Sequence, residues 1–424
     1  MKVTTCNPLL RTPLSLIIDD SCPVINLTYY WMHQWLAWRP KHRPDLKPAR
    51  WEGDPRVPNL SKTIPADFAK KWGEWCGEQG IRGKFSFIPY PAGQGRVDEG
   101  FPDHPKRDLA DWLKVAKEVI WPNFDLTPEM LTHSHVVDIK TMALTNQWEQ
   151  VEWYDPPVEP LTDYIATAMQ LLKNAGIPCE GVTSPGAFGK GKEPAYARAI
   201  LDAALRVNNN PRPFYFLWLK TDPKEMPDVP IWYAEKDKGI AIASIVACSG
   251  DWFGGWTGFD RGDPDKFITE DLQGGRLVPI LEKGLPCVLC GHWPGFYFER
   301  EEFGFKVLNT VKKRLDAYDP DKTKTLWMKN SEIGHYWMAR ELSDITVAGG
   351  KVTVKTQFPT ASFTLSLSDC TASRIRFAGL DLREVKSRQD FRSGTFLVEG
   401  KTTFLAFPLK SGETVIEVEG EIGV

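Results

Sequence analysis

The chain has 424 residues and a formal net charge of −3 at pH 7. This length allows one large domain and a smaller one, and the nearly balanced charge provides no basic field for binding nucleic acid, which excludes that class of partner. No apolar run approaches the roughly 20 residues that span a bilayer, and no secretory signal precedes Pro13. We therefore expect a cytoplasmic protein without a membrane segment.

The first predicted strand is an apolar run that ends in two adjacent carboxylates. Leu14, Leu16, Ile17 and Ile18 lead directly into Asp19-Asp20. A short apolar run of this kind is typical of a buried strand in a parallel sheet, and parallel strands present functional groups at their carboxyl ends. Two neighbouring like charges need a cation or a proton between them.

Residues 23–65 are rich in Pro, Arg and Trp and are predicted to form a long irregular segment. Helices and strands then alternate to about residue 342. The periodicity predicts helices over 66–79, 107–120, 161–175, 193–206, 265–283, 305–318 and 331–342. It predicts strands over 83–89, 129–137, 177–182, 214–219, 240–247, 286–290 and 325–328.

This alternation predicts an α/β fold, and seven or eight strand–helix units favour a (β/α) barrel over an open sheet. From residue 343 the pattern changes to short segments rich in Val, Thr and Phe, separated by turn residues. We therefore expect a catalytic barrel over residues 1–342 and a small antiparallel β-sandwich over 343–424. The sandwich either packs against the barrel, which is the commoner role, or binds glycan.

Cysteine and tryptophan usage also bears on function. Cys287 and Cys290 form one CxxC pair with no second pair, so buried free thiols are favoured over a zinc ribbon. The 17 tryptophans either fill long loops or line a sugar-binding cleft. The Gly-flanked segment Trp252-Phe253-Gly254-Gly255-Trp256 favours a cleft. The candidate substrate-binding residues are Trp31, Trp252, Trp256, Trp293, Pro185 and Asp251.

Two histidines stand one residue apart in the segment 131–135. On a strand, His133 and His135 would face the same way, and His-x-His on a strand is a common way to hold zinc. The alternative is a pair of surface histidines. With one carboxylate of the Asp19–Asp20 pair, the two imidazoles complete a three-ligand site for a divalent metal ion, most simply zinc.

The other aspartate of the pair would then act as a base on metal-bound water, and His292, at the end of a late strand, would act as the acid. The alternative for His292 is a structural histidine in a Gly-rich loop. Asp251 follows another strand and is a further carboxylate at the same rim.

The order of four short motifs, IIDD, HSH, SPG and VLCGH, resembles the polysaccharide deacetylase superfamily, the NodB-homology domain. The resemblance implies a distorted (β/α) barrel and a divalent metal that assists removal of acetyl groups from sugars. It implies Asp19 as the base, Asp20 as a metal ligand, His133 as the first histidine ligand and His292 as the acid. The second histidine of the family pattern falls on Val137, so His135, or alternatively Asp138, is expected to replace it.

The leading hypothesis is therefore a metal-dependent carbohydrate hydrolase, most simply a deacetylase acting on N- or O-acetyl groups. The first alternative is a metal-independent glycoside hydrolase that uses two carboxylates from Asp19, Asp20 and Asp251. The second alternative is a non-catalytic carbohydrate-binding protein with a Trp-lined groove. All three predict a carbohydrate ligand.

Overall fold

The computed structural model describes residues 1–151 and 156–422. Its strands up to residue 327 are β1 (Lys2–Thr5), β2 (Thr12–Asp19), β3 (Gly83–Ser86), β4 (Phe124–Thr127), β5 (His135–Asp138), β6 (Ala143–Trp148), β7 (Gly181–Thr183), β8 (Phe214–Leu219), β9 (Ile231–Glu235), β10 (Ile240–Ala247), β11 (Cys287–His292) and β12 (Thr325–Trp327). Its helices are α1 (Leu27–His42), α2 (Ala66–Glu78), α3 (Lys106–Val115), α4 (Val158–Asn174), α5 (Glu193–Asn208), α6 (Pro264–Phe267), α7 (Leu277–Glu282), α8 (Trp293–Phe296), α9 (Phe303–Tyr318) and α10 (Asn330–Leu342). Within these ranges, no helix combines the length and the apolar character needed to cross a bilayer.

Parallel strands form the wall of a barrel in the order β2, β3, β4, β7, β8, β10 and β11. Continuous ladders join β11–β2–β3–β4 on one side and β7–β8–β10 on the other. A parallel bridge between Glu129 and Thr183 links the two groups at one seam. At the other seam the Cys248 N–H donates to the Val288 carbonyl at 2.8 Å. The predicted α/β barrel followed by a β-domain is confirmed, and the barrel is distorted at its two seams.

Strand β2 lies at the centre of this wall, and all eight of its residues are buried. It pairs in parallel with β11 over Leu14–Asp19, with β3 over Leu16–Ile18 and with β12 over Thr12–Leu14. Neighbours on both sides explain why its sequence is apolar almost throughout. The strand ends at Asp19, so the acidic pair lies at the carboxyl end of the barrel, as predicted.

Three predicted elements were wrong. Residues 23–65 are not irregular throughout, because α1 occupies Leu27–His42, with the Asn26 side chain accepting the Thr28 N–H at 3.1 Å. The helix predicted over 265–283 is two short helices, α6 and α7, separated by a turn in which Gly275 has a φ of +88°. The strand predicted over 129–137 is a loop followed by β5.

The C-terminal region contains β13 (Asp344–Ala348), β14 (Lys351–Thr356), β15 (Thr360–Ser368), β16 (Cys370–Phe377), β17 (Leu380–Asp381), β18 (Arg383–Val385), β19 (Thr395–Glu399), β20 (Thr402–Leu409) and β21 (Gly412–Ile422). These strands form two sheets, ordered β13-β14-β21-β16-β17 and β1-β15-β20-β19-β18. The sandwich thus includes β1, which the sequence assigned to the barrel.

Helix α10 connects the barrel to the sandwich. Asp125 of β4 accepts hydrogen bonds from the Ser331 N–H and hydroxyl group at 2.7 and 2.8 Å. On the same helix, the Tyr336 hydroxyl donates to the carbonyl of Cys6 at 2.6 Å. One apolar core accordingly runs from barrel strands through α10 into the sandwich. The sandwich packs against the barrel, at the end away from the acidic pair.

Candidate functional site

A cavity of about 290 Å³ opens at the carboxyl ends of the barrel strands. Acidic and imidazole groups that follow or end three strands, β2, β4 and β11, meet there. Its aromatic lining residues are Trp31 of α1, Phe216 of β8 and Trp256 of the loop after β10. The carboxyl and imidazole groups that line it belong to Asp19, Asp20, Glu129, His133 and His292. This is the end of a barrel at which chemistry is usually placed.

Asp19 and Asp20 both line the cavity although they are neighbours in sequence. Successive residues of a regular strand point to opposite sides. Asp20 departs from this alternation because its φ is +56°, in the left-handed region that residues other than glycine rarely adopt. The Asp20 N–H donates to Glu129 Oε2 at 3.0 Å, which helps to hold this conformation. Backbone strain of this kind concentrates at functional sites.

Asp19 is buried against a fully buried lysine. The Lys84 ammonium donates to Asp19 Oδ1, and also to the Ser86 hydroxyl at 2.8 Å. On the other side, Cys290 Sγ lies 3.9 Å from Asp19 Oδ2. Burial raises the pKa of Asp19 to about 6, because the desolvation of the carboxylate outweighs the opposing effect of Lys84.

In contrast to Asp19, Asp20 is held in its ionised form, chiefly by His133. Nε2 of His133 lies 2.9 Å from Asp20 Oδ1 and 3.2 Å from Glu129 Oε1. Burial alone would raise the pKa of Asp20, but His133, His292 and Lys84 lower it below its usual value. Burial likewise opposes the charge on His133, yet the two carboxylates raise its pKa well above the usual value. At neutral pH this is an imidazolium between two carboxylates.

Glu149 holds the backbone that carries His133. Its carboxylate accepts N–H groups of Leu131, Thr132 and His133, at 3.2, 3.3 and 2.6 Å, and the hydroxyl group of Tyr164 at 2.6 Å. These bonds fix a loop in which His133 has a φ of +57°. Burial raises the pKa of Glu149 to about 7, against the effect of these donors. Glu149 therefore positions the imidazolium without lining the cavity.

We expect Glu149→Gln to destabilise the protein by about 1–3 kcal/mol, because a buried amide NH₂ would then face backbone N–H groups. Chemical denaturation would measure the change. The exposed Glu159→Gln on α4 is the matched control and should change stability by less than about 0.5 kcal/mol. Equal stabilities of the two variants would show that Glu149 does not organise the loop.

His292 pairs with Asp251, as Nδ1 lies 2.9 Å from Asp251 Oδ2. Burial alone would lower the pKa of His292, but Asp20, Asp251 and Asp19 raise it to about 10. His292 is therefore a cation at neutral pH. It balances part of the negative charge of the acidic pair.

The predicted site residues are only partly brought together. Asp19, Asp20, His133 and His292 share the cavity, but His135 begins β5 and its ring packs 4.8 Å from that of Trp148. Of the predicted ligand set, Asp20 and His133 come together, and the place assigned to His135 is taken by Glu129. His133 lies in a left-handed loop, not on a strand, so the His-x-His geometry does not exist.

The predicted aromatic residues also separate into two groups. Trp31 and Trp256 line the cavity. Trp293 is fully buried in the barrel core, and Trp252 packs 5.1 Å from Phe267, so neither lines the cavity. Pro185 is buried between Ser184 and Gly186, which do line the cavity. Asp251 is not a lining residue of the cavity and acts there by pairing with His292. The assignment of Trp293 to substrate binding is corrected, because its ring has no exposed surface.

Sequence reasoning missed Glu129 and Lys84. Glu129 stands four residues before His133, a spacing that would suggest a shared helix face, whereas both residues belong to a loop. Lys84 lies within a strand whose other residues are small or apolar. A lysine on a strand is usually assigned to a solvated face, and nothing in its neighbours indicates a position inside the barrel.

Within the part of the chain that the structure describes, Asp20, Glu129 and His133 form a group that could hold a divalent metal ion. One ligand atom from each lies within 4.8 Å of the others, and all three residues are buried. Two carboxylates and one imidazole suit such an ion if His133 is neutral. When His133 is protonated, the same atoms form an ion-paired group.

Neither a protein-family model nor a curated protein matches the chain. Among solved structures, it is similar to the endo-beta1,6-glucanase BT3312, at 8% identity and a TM-score of 0.30, covering 99% of this chain and 93% of that one. It is also similar to a GH30 endoxylanase from Clostridium papyrosolvens, at 10% identity, a TM-score of 0.30 and coverage of 99% and 100%. A third is the Thermotoga maritima alpha-fucosidase, at 11% identity, a TM-score of 0.28 and coverage of 98% and 97%.

These similar structures are glycoside hydrolases and not polysaccharide deacetylases. The predicted membership of the polysaccharide deacetylase superfamily and the metal-dependent deacetylase derived from it are corrected, because no family model matches the chain and the His-x-His geometry on which the metal site was built does not exist. The barrel is not confirmed as NodB type. Likenesses at these TM-scores do not indicate which reaction this chain catalyses.

Proposed function

We propose that the chain is a glycoside hydrolase in which Asp19 and Asp20 are the two catalytic carboxyl groups. The observation that carries the proposal is their opposite environments within one cavity. Burial raises the pKa of Asp19 to about 6, while His133, His292 and Lys84 lower the pKa of Asp20 against its own burial. A pair of carboxyl groups whose pKa values are driven apart is the signature of an acid and an ionised partner in glycoside hydrolysis.

In the proposed reaction, Asp19 donates its proton to the oxygen of the glycosidic bond as that bond to the anomeric carbon breaks. Ionised Asp20 supplies the negative charge that stabilises the oxocarbenium-like transition state. Water provides the hydroxyl group that ends on the anomeric carbon, and its remaining proton restores Asp19. This assignment reverses the role predicted for Asp19, which was that of a base.

His292 serves better as a fixed cation than as the acid predicted from sequence. A catalytic acid works best when its pKa lies near the operating pH. The pKa of His292 is about 10, so it would release its proton reluctantly, whereas that of Asp19 is about 6. Held by Asp251, the imidazolium helps to keep Asp20 ionised.

The aromatic walls support a carbohydrate substrate. The rings of Trp31 and Trp256 meet edge to face, with centroids 5.0 Å apart and planes at 84°, so the cavity has two aromatic surfaces at right angles. Indole rings offer broad apolar faces to the C–H groups of a sugar while their edges remain polar. Trp256 is 39% exposed and thus available to a ligand.

The proposal is tested by incubating the protein with a panel of aryl glycosides and oligosaccharides and measuring new reducing ends. Wild-type protein should produce them and Asp20→Asn should not. Acetyl esters and N-acetylated sugars in the same panel provide a comparison through released acetate. Release of acetate without any new reducing end would contradict the proposal.

Lys84 sets the upper pH limit of the proposed reaction. Lys84 lowers the pKa of Asp19, so Lys84→Met should raise that pKa further. Because Asp19 acts in its protonated form, the alkaline limb of the kcat/KM profile should move upward by on the order of one pH unit. The exposed Lys114→Met on α3 should leave the profile unchanged. A downward shift in folded Lys84→Met protein would contradict the role assigned to Lys84.

The predicted divalent metal ion stays a prediction, now with Glu129 in the place of His135. Bound by Asp20, Glu129 and His133, the ion would polarise a substrate oxygen. The proposed reaction uses the carboxyl groups directly, so we expect dialysis against a chelator to leave kcat unchanged. Elemental analysis before and after dialysis would show whether an ion was removed. Loss of activity that zinc restores would contradict the metal-independent mechanism.

A further inference from the structure

A second cavity, of about 300 Å³, lies beside the first and shares Trp256 with it. Its other aromatic walls are Trp51 and Phe259, and its charged groups are Arg50, Arg56, Asp54 and Asp260. The indole of Trp256 is thus the boundary between a cavity that holds the acidic pair and a cavity that holds two guanidinium groups and two carboxylates. The proposed function uses only the first of these.

Trp256 is held in place by the backbone of its loop and by neighbouring rings. The Asp260 N–H donates to the Gly254 carbonyl at 3.1 Å, and a side chain at Gly254 would meet the backbone of Gly295 at 2.6 Å. The Trp51 ring contacts Trp256 with centroids 6.4 Å apart. Because the loop is packed this closely, the ring is already in place before a ligand binds, which reduces the entropic cost of binding.

The two arginines of the second cavity differ in how strongly they are engaged. Arg56 forms a two-point hydrogen-bonded pair with Asp54, at 3.0 and 2.9 Å, and lies 4.3 Å over the ring of Phe259. Among residues 1–151 and 156–422, Arg50 has Asp260 as its single ion-pair partner, at 3.9 Å, and its side chain is 96% exposed. A pair this long and exposed is readily exchanged. Arg50 can therefore turn to an anionic ligand.

We infer that the substrate is an oligosaccharide whose chain passes across Trp256, and that the sugar in the second cavity carries an anionic group recognised by Arg50. Planar guanidinium groups bind carboxylates and sulfates through paired hydrogen bonds. This inference rests on the proposed function, since it places the bond to be cleaved in the first cavity. The substrate class is an acidic glycan, with either a uronic acid or a sulfated sugar past the cleavage site.

Binding is measured with Asp20→Asn protein, so that no turnover occurs. The first probes are disaccharides and hexasaccharides of glucuronic, galacturonic and mannuronic acid. The second set is the same hexasaccharides after their carboxyl groups have been reduced to alcohols. The third set is hexasaccharides of sugars without carboxyl groups that carry sulfate esters. We expect one acidic hexasaccharide to bind about tenfold more tightly than both its disaccharide and its carboxyl-reduced form. The uronic acid and sulfate arms identify which anionic group is recognised.

Two further substitutions in this background separate the contributions of Trp256 and Arg50. Arg50→Gln should abolish the preference for the acidic form and leave the affinity for the reduced form unchanged. Trp256→Ala should reduce hexasaccharide affinity to the level of the disaccharide. Arg107→Gln is the control, because Arg107 is an exposed arginine that pairs with Asp111 on α3, far along the chain from this loop. The measurements are made at two salt concentrations to expose non-specific charge effects.

The inference is overturned if no acidic glycan binds more tightly than its carboxyl-reduced form. It is also overturned if Arg50→Gln and Arg107→Gln change the affinity equally. Equal affinities for disaccharide and hexasaccharide would overturn the extended substrate. Specific binding of an acidic hexasaccharide that wild-type protein does not cleave would support the second site and contradict the proposed function. Cleavage of neutral and acidic glycans with equal kcat/KM, unaffected by Arg50→Gln, would support the function and overturn the inference.

Discussion

Asp20→Asn is expected to lower kcat by about 10³-fold, because the amide carries no negative charge to stabilise the transition state. The side chain keeps its size, so the cavity should keep its shape. The variant should remain folded, since Glu129 still pairs with His133 and still accepts the backbone N–H of residue 20. Steady-state kinetics on the best glycoside of the panel would measure the loss, and thermal unfolding would confirm the fold.

Asp111→Asn is the matched control for this substitution, because Asp111 is an exposed aspartate on α3. Its kcat should equal that of the wild type. If Asp20→Asn keeps more than about a tenth of the wild-type kcat, the carboxylate of Asp20 makes no contribution of the size expected for a catalytic group.

Asp19→Asn is expected to lower kcat/KM by about 10²- to 10⁴-fold on substrates whose leaving group must be protonated. It should have little effect on dinitrophenyl glycosides, whose leaving group departs without a proton. The wild-type profile should fall as the pH rises through about 6, since the acid loses its proton there. Asp19→Asn should lack this limb on dinitrophenyl glycosides and on natural substrates alike.

Kinetics on both substrate classes over pH 4–9 would measure this dependence. An equal loss on both classes would indicate a structural effect of the substitution, not a missing acid. An alkaline limb that persists unchanged in Asp19→Asn would show that another group donates the proton.

The barrel and the acidic pair could be predicted because each depends on local sequence. Alternating helical and strand patterns imply parallel strands, and the apolar residues before Asp19 identify β2 as a buried strand. A buried parallel strand in such a fold places the residues at its carboxyl end on the functional side of the barrel. The position of Asp19 and Asp20 at the carboxyl end of the barrel could therefore be predicted from the sequence of one strand alone.

The partners of the acidic pair could not be predicted in the same way. Lys84 reaches Asp19 from a neighbouring strand, 65 positions away, and Glu129 meets Asp20 across 109 positions. Which residues of two parallel strands face each other depends on their register, which apolar runs specify poorly. His133 was found, but its left-handed backbone, held by Glu149, removed the geometry expected with His135.

Helix α1 is an error that the sequence could have prevented. Trp31, Trp35, Trp38 and His42 follow a helical spacing, and Asn26 is a favourable first cap. Abundant Pro and Arg in the same region obscured this pattern. The motif order that suggested a deacetylase depended on His133 and His135 sharing one strand, and the structure places His133 in a loop and His135 at the start of β5.

The most direct test of the acidic pair is hydrolysis of the preferred glycan in ¹⁸O-labelled water, followed by mass spectrometry of the products. We predict one ¹⁸O atom in the new reducing-end sugar with wild-type protein, and no labelled product with Asp20→Asn. Label found only in a released carboxylic acid, with the sugar chain intact, would contradict a glycosidic role for Asp19 and Asp20.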